Sequence, residues 1–141
     1  MDDDLRLEVR SDPRLLGCVR SLVRSWLEAR GVGAEKAEEL VLAIDEGCAN
    51  AIRHSYRGDC HRSLELVMRT VPGVLEVCLS DHGVPCPPAV FEQRPLEAPD
   101  PGELRPGGLG VQLMHRTFDE VVFCPGGETG NRVILRTRIG E

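Results

Sequence analysis

Apolar and polar positions along the chain change their period several times, and each change marks an element. Leu5 to Val9 alternates, the period of a half-buried strand. Asp12 and Pro13 supply an N-cap and a proline at the first helical position. An apolar stripe follows at Leu15, Leu16, Val19, Leu22, Val23, Trp26 and Leu27, and Gly31 closes this helix. Gly33 separates it from a second helix, predicted from about Ala34 to Ser55. Ser63 to Val71 and Val74 to Ser80 read as strands joined around Pro72 and Gly73, a hairpin. Seven prolines between His82 and Pro106 leave little room there for regular structure. Gly107 to Gly110 then leads into a short helical pattern with Leu109, Leu113 and Met114. Val121 to Phe123 and Arg132 to Ile139 read as two last strands, separated by Pro125, Gly126, Gly127 and Gly130. This order predicts an α/β (α+β) two-layer sandwich, a mixed, largely antiparallel sheet with helices on one face. No internal repeat or interdomain linker interrupts it, so residues 1–141 are expected to form a single domain.

The second helix carries the most informative positions. At about 100° per residue, Leu40, Ile44, Cys48, Ala51 and Ser55 form the stripe expected to face a core. Glu46 and Asn50, one turn apart, lie together on the far side. An ordinary far side is wet, and a Glu there is simply solvated. Here Leu40 to Ile44 is apolar all round, which predicts packing on more than one side. Ala43, Gly47 and Ala49 surround the polar pair with almost no side-chain volume, although Gly costs about 1 kcal/mol relative to Ala in a helix interior. Small residues around two polar ones suggest space held open for a ligand.

Composition narrows the classes of function. A formal charge of −6 with no basic block disfavours a nucleic-acid partner. The basic residues are nearly all Arg, with Lys36 the single lysine, a compositional bias. No apolar run approaches the roughly 18 residues that span a bilayer, and the acidic start at Asp2 to Asp4 is unlike a signal peptide. A cytoplasmic protein with no membrane partner is expected. Cys18, Cys48, Cys60, Cys78, Cys86 and Cys124 form no C-x-x-C pair, and four lie in periodic apolar segments, so buried reduced thiols are expected. His54, Cys60 and His61 lack the further ligands of a tetrahedral zinc site.

Three further places carry chemistry. Asp81, at the end of a strand, can accept from a ligand N–H, and Gly83 lets a ligand approach the backbone; Asp and Gly are also ordinary turn formers. Gly107 to Gly110 opens a helix whose free N–H groups and dipole suit phosphate oxygens, or is a hinge with no ligand. The loop between them, about residues 84–107, is long enough to be a lid rather than a linker.

In this order, Glu46-x-x-x-Asn50, Asp81-x-Gly83, a lid and Gly108-x-Gly110 resemble the N, G1 and G2 boxes of the Bergerat-fold ATPases, the superfamily of gyrase, histidine kinases and mismatch-repair ATPases. Within it, Ala43 to Tyr56 and Gly107 to Val121 resemble the anti-sigma-factor serine kinases of bacterial stress and sporulation. The resemblance covers nearly the whole chain. It implies ATP and Mg²⁺ as cofactors, with Asn50 coordinating the Mg²⁺ that bridges the phosphates and Glu46 as general base toward a water or a substrate serine. It implies that Asp81 accepts from the adenine amino group, with Gly83 making room beside the base. Gly108, Leu109 and Gly110 would hinge the lid and present N–H groups to phosphate. Arg53 and His54 would face the nucleotide or be solvated surface, and Asn131 occupies the place where the family often has a Thr near the adenine. The chain departs from the family at Cys86, Pro87 and Pro88, where many relatives carry Phe-Asp-Pro, and at Arg105, which stands two residues before Gly107 rather than directly before the glycines.

The implied function is a serine/threonine-protein kinase that phosphorylates a STAS-type anti-anti-sigma protein and sequesters a sigma factor or similar regulator. Relatives are commonly dimers, so a homodimer is a further expectation. Arg14, Arg20, Arg24 and Arg30 on the first helix either contact an acidic partner or form a solvated face. A non-catalytic ATP-sensing interaction module is the alternative; retention of Glu46 favours the kinase.

Overall fold

The computed structural model describes residues 5–85, 87, 89, 92–93, 108–128 and 130–139. Most of the expected lid, with Cys86, Arg105 and Gly107, lies outside them. Strand β1 (Leu5–Arg10) is followed by a 3-10 turn (Pro13–Leu15) that runs into helix α1 (Leu16–Ala29). Asp12 caps this entry, its carboxylate accepting from the Arg14 backbone N–H at 2.9 Å. Gly31, at φ +81, reverses the chain in a conformation that suits Gly. Helix α2 (Ala34–Asn50) passes without a break into a π-helical turn (Ala51–Ser55), where a continuous α-helix is expected from the side-chain period. Strands β2 (Ser63–Val71) and β3 (Val74–Asp81) form the expected hairpin. Helix α3 (Gly108–Thr117) precedes β4 (Glu120–Gly127) and β5 (Gly130–Arg138).

Among the described residues the sheet runs β1-β2-β3-β5-β4 and all four pairings are antiparallel, so the expected mixed sheet has no parallel pair there. Strand β4 continues through Pro125, Gly126 and Gly127, residues expected to be a connector. The ladder shifts register between Cys124 and Gly127, and Gly126 takes φ +66, so the turn formers are absorbed as a bulge.

The core lies between the sheet and the helices. Alternate residues of the central strands, Leu66 and Met68, Leu75 and Val77, and Leu135, are closed to solvent beneath Leu27, Leu40, Ile44 and Met114. Burying each such side chain stabilises by roughly 1.5–3 kcal/mol. Helix α2 packs against both α1 and α3, so its stripe at Leu40, Ile44 and Cys48 is buried as expected and the adjoining Val41, Ala43 and Gly47 are buried as well. Leu42, 49% exposed, and Leu22, 39% exposed, fall outside this packing. Gly47 is small for a different reason from the one its neighbours suggest. A β-carbon there would overlap Leu79 Cδ1 and approach Met114 Sδ to 3.6 Å, so the missing volume is filled by protein. Among the described cysteines, only Cys48 is buried; Cys18 is exposed on α1, and Cys60, Cys78 and Cys124 are half-buried, all as free thiols. Cys78 and Cys124 sit at strand positions whose alternation turns them away from the helices.

Candidate functional site

Asn50 ends α2 at a position only 4% exposed. Its Oδ1 accepts from Arg53 Nη2 at 2.9 Å, while its buried Nδ2 has no hydrogen-bond partner among the described residues. Leaving a buried donor unpaired costs about 1–3 kcal/mol, so such a group asks for a partner from outside the fold. One turn earlier, Glu46 is half-buried, with Oε2 3.8 Å from Arg53 Nη2. The same carboxylate lies against the start of α3, where a β-carbon at Gly110 would press on Glu46 Oε2. Gly110 is thus the residue that lets α3 come down beside Glu46. Gly108 and Leu109 form the first turn of that helix.

Asp81 ends β3 and is buried. Its Oδ1 accepts from the Gly83 N–H at 2.9 Å, closing a turn, and from Asn131 Nδ2 at 2.8 Å; Asn131 is its partner across the β3–β5 ladder. The chain then passes hard against the end of the π turn. A β-carbon at Gly83 would collide with the Ser55 carbonyl, which accepts from the Val84 N–H at 2.8 Å. Gly83 therefore makes room for Ser55. Asn131 stands behind Asp81, its Oδ1 accepting from the Gly126 N–H at 2.8 Å.

Asn50 and Asp81 line one narrow cleft between the end of α2 and the sheet, with a free volume of about 20 Å³. Leu64, Leu79, Phe123 and Val133 give it apolar walls, and Cys48, His54 and Ser55 complete the helix side. Apolar walls around a buried carboxylate suit a heterocycle bearing an N–H donor once the cleft opens to admit it. Burial, and then the neighbouring Arg53 charge, lowers the His54 pKa, which favours the neutral ring. Burial, reinforced by Asp45, pushes the Cys48 thiol up to about 12.

Of the residues singled out from the sequence, Asn50, His54 and Asp81 line the cleft, and Glu46 and Gly110 meet beside it. Arg53 bridges Asn50 and Glu46 with its side chain more than half exposed. The apolar walls were missed. Leu79, Phe123 and Val133 read as plain core residues, and only the sheet's register brings them under the end of α2.

A profile of the histidine kinase-like ATPase domain matches residues 9–137. The chain belongs to that family. It is homologous to the serine-protein kinase RsbW of Bacillus subtilis, 28% identical over 127 residues that cover 84% of this chain and 76% of that protein. The RsbW of Listeria innocua is 26% identical, over the whole of this chain and 90% of that protein. Among solved structures, the RsbU and RsbW domains of Rv1364c from Mycobacterium tuberculosis superpose with a TM-score of 0.65 at 19% identity, covering 99% of this chain and 33% of that longer one. That likeness is one of fold.

Proposed function

We propose that this chain is an ATP-dependent serine/threonine-protein kinase of anti-sigma type, which phosphorylates a STAS-type anti-anti-sigma partner in the cytoplasm. The observation that carries the reading is a buried acceptor, Asp81, and a buried, half-satisfied carboxamide, Asn50, at one cleft, with Glu46 one turn from Asn50. In this reading Asp81 accepts from the adenine amino group while Leu79, Phe123 and Val133 cover the base. The phosphates run toward Asn50, Arg53 and the first turn of α3. Asn50 would hold Mg²⁺ through Oδ1, with the Arg53 guanidinium that now donates to that oxygen turned toward the phosphates. When bound, the ion neutralises charge on the phosphates. Glu46 takes the proton of the substrate serine hydroxyl onto its carboxylate as that oxygen attacks the γ-phosphorus and ADP leaves, a step governed by positioning and charge.

Calorimetric titration with ATP, with and without Mg²⁺, tests the pocket. Magnesium-dependent binding that Asp81→Asn weakens supports it, and no binding by the wild type overturns it. A sensing module without transfer has one observation in its favour: the Glu46 carboxylate faces Arg53 and α3 rather than the cleft wall. Phosphotransfer by the wild type that Glu46→Gln abolishes excludes that second reading.

A further inference from the structure

Leu42 is 49% exposed, the most exposed of the large apolar residues among those described. It lies on a strip of α2 that neither neighbouring helix covers. On one side of the strip α1 is clamped to α2, with Asp45 accepting from Arg20 at 3.0 Å and Glu38 from Arg24 at 2.6 Å. On the other, α3 meets α2 where Gly110 lies against Glu46 and Met114 against Gly47. Leu42, Glu46 and Ala49 follow one another along the strip at helical spacing, and the Glu46 side chain is 31% exposed. A lone exposed leucine is ordinary. This one stands one turn from the proposed general base, on the side away from Asn50 and the cleft.

We propose that Leu42 is the docking point for the segment that carries the phosphoacceptor serine, and that it selects an apolar side chain two residues from that serine. This rests on the kinase reading above. With the phosphates held toward Asn50, Arg53 and the start of α3, a protein hydroxyl reaches Glu46 from the Leu42 side. Four residues of helix advance about 6 Å. An extended chain advances about 3.3 Å per residue and turns alternate side chains to the same face, so a serine above Glu46 places the residue two positions away above Leu42. The carboxylates of Asp45 and Glu38 are already engaged by arginines, which leaves Leu42 to offer an apolar surface. Covering it with an apolar side chain removes area from water on both partners. Glu39, exposed three residues before Leu42, adds repulsion against an acidic residue at the same place.

The test measures radiolabelled phosphate transfer from ATP to short synthetic peptides with one serine in an alanine and glycine background. They carry Leu, Ala, Asp or Lys two positions before the serine, or two positions after it. Wild type, Leu42→Ser, Leu42→Glu and Glu46→Gln are compared, with thermal melts and calorimetric titration of ATP alongside. At one of the two positions the wild type is expected to label the Leu peptide roughly 10-fold better than the Ala peptide, the worth of covering one leucine side chain, and the Asp peptide least. Leu42→Ser is expected to lose the preference while ATP affinity stays within about threefold, and Leu42→Glu to prefer the Lys peptide instead. Slower labelling of every peptide by the Leu42 variants, with the Leu:Ala ratio standing, is structural damage and overturns the proposal. Labelling that Glu46→Gln abolishes and Leu42→Ser leaves unchanged in rate and preference overturns docking at Leu42 and leaves the kinase reading intact. A wild type that labels the Leu, Ala and Asp peptides alike at both positions overturns the proposal without any variant. Labelling of no peptide by a wild type that binds ATP overturns it too, and the nucleotide reading then stands on the titration alone.

Discussion

Glu46 and Asn50 share a helix face, yet their surroundings differ. Asn50 is shut in with an unpaired N–H₂, whereas Glu46 keeps partial access to solvent beside Arg53. Glu46→Gln is therefore expected to abolish phosphotransfer to a partner serine while ATP affinity changes by less than about threefold, since the amide preserves shape and removes only the base. Radiolabelled phosphate transfer and calorimetry on the same protein check both halves. Asp81→Asn is expected to weaken ATP binding by about 1.5–3 kcal/mol, because the amide offers a donor where an acceptor is needed. The thiols give a test that requires no nucleotide. Cys18, exposed, should react with iodoacetamide in the native protein, and Cys48, with its pKa pushed to about 12 by burial, only after unfolding; peptide mass mapping distinguishes them. At this scale the polar residues of the candidate cleft were legible because carboxylates and carboxamides stand out on apolar elements. The apolar walls were not, since Phe123 and Val133 look like any strand residues until the ladder is paired.

Boundaries between elements were harder to read than the elements themselves. The α2 pattern from Leu40 to Ser55 fits an α-helix throughout, and nothing local marks the π turn at Ala51–Ser55. Its distinguishing contact, the Ser55 carbonyl against Gly83 and Val84, joins residues far apart in sequence. The glycines of the β4–β5 hairpin misled in the other direction, since a bulge and a connector use the same residue types. Gly130 shows what the hairpin needs: it sits at φ +83, and a β-carbon would strike the Asp81 carbonyl. Gly130→Ala should cost about 1–3 kcal/mol from the backbone conformation alone, measured by denaturant unfolding, with the clash adding to it. On the outer face of the sheet, Arg69, Glu76, Arg136 and Glu120 alternate in charge across four strands, with Glu76 accepting from Arg136 at 2.7 Å and Arg69 at 3.0 Å. Burial pulls the Glu76 pKa upward, but hydrogen bonding to Arg136 and the charges of Arg69 and Arg136 outweigh it, and the net shift is downward. A depressed carboxylate contributes stability above the ordinary Glu range and loses it as pH falls through the lowered value. Wild type should therefore lose more stability between about pH 5 and about pH 3 than Glu76→Gln does, by urea melts at each pH.

For the molecule as a whole, the two-layer class was legible from the succession of periods, but strand order was not, because pairing partners leave no local mark. That order puts Asp81 and Asn131 on adjacent strands in the sheet's interior. A ligand held there should stabilise the entire fold, and ATP at a hundred times its dissociation constant should add about 2.7 kcal/mol, read as a rise in melting temperature. The position of β5 reaches further. The last strand along this chain is inserted between β3 and β4 rather than laid on an edge. On the ribosome, β1, β2 and β3 emerge and can pair early, but β4 has no neighbour, and the cleft has no Val133 wall, until β5 arrives. A polypeptide interrupted by a premature stop before residue 130 would carry Glu46, Asn50 and Asp81 and yet hold no nucleotide. Chains that stop short of β5 are therefore expected to lack the cleft even where every polar residue of it is present.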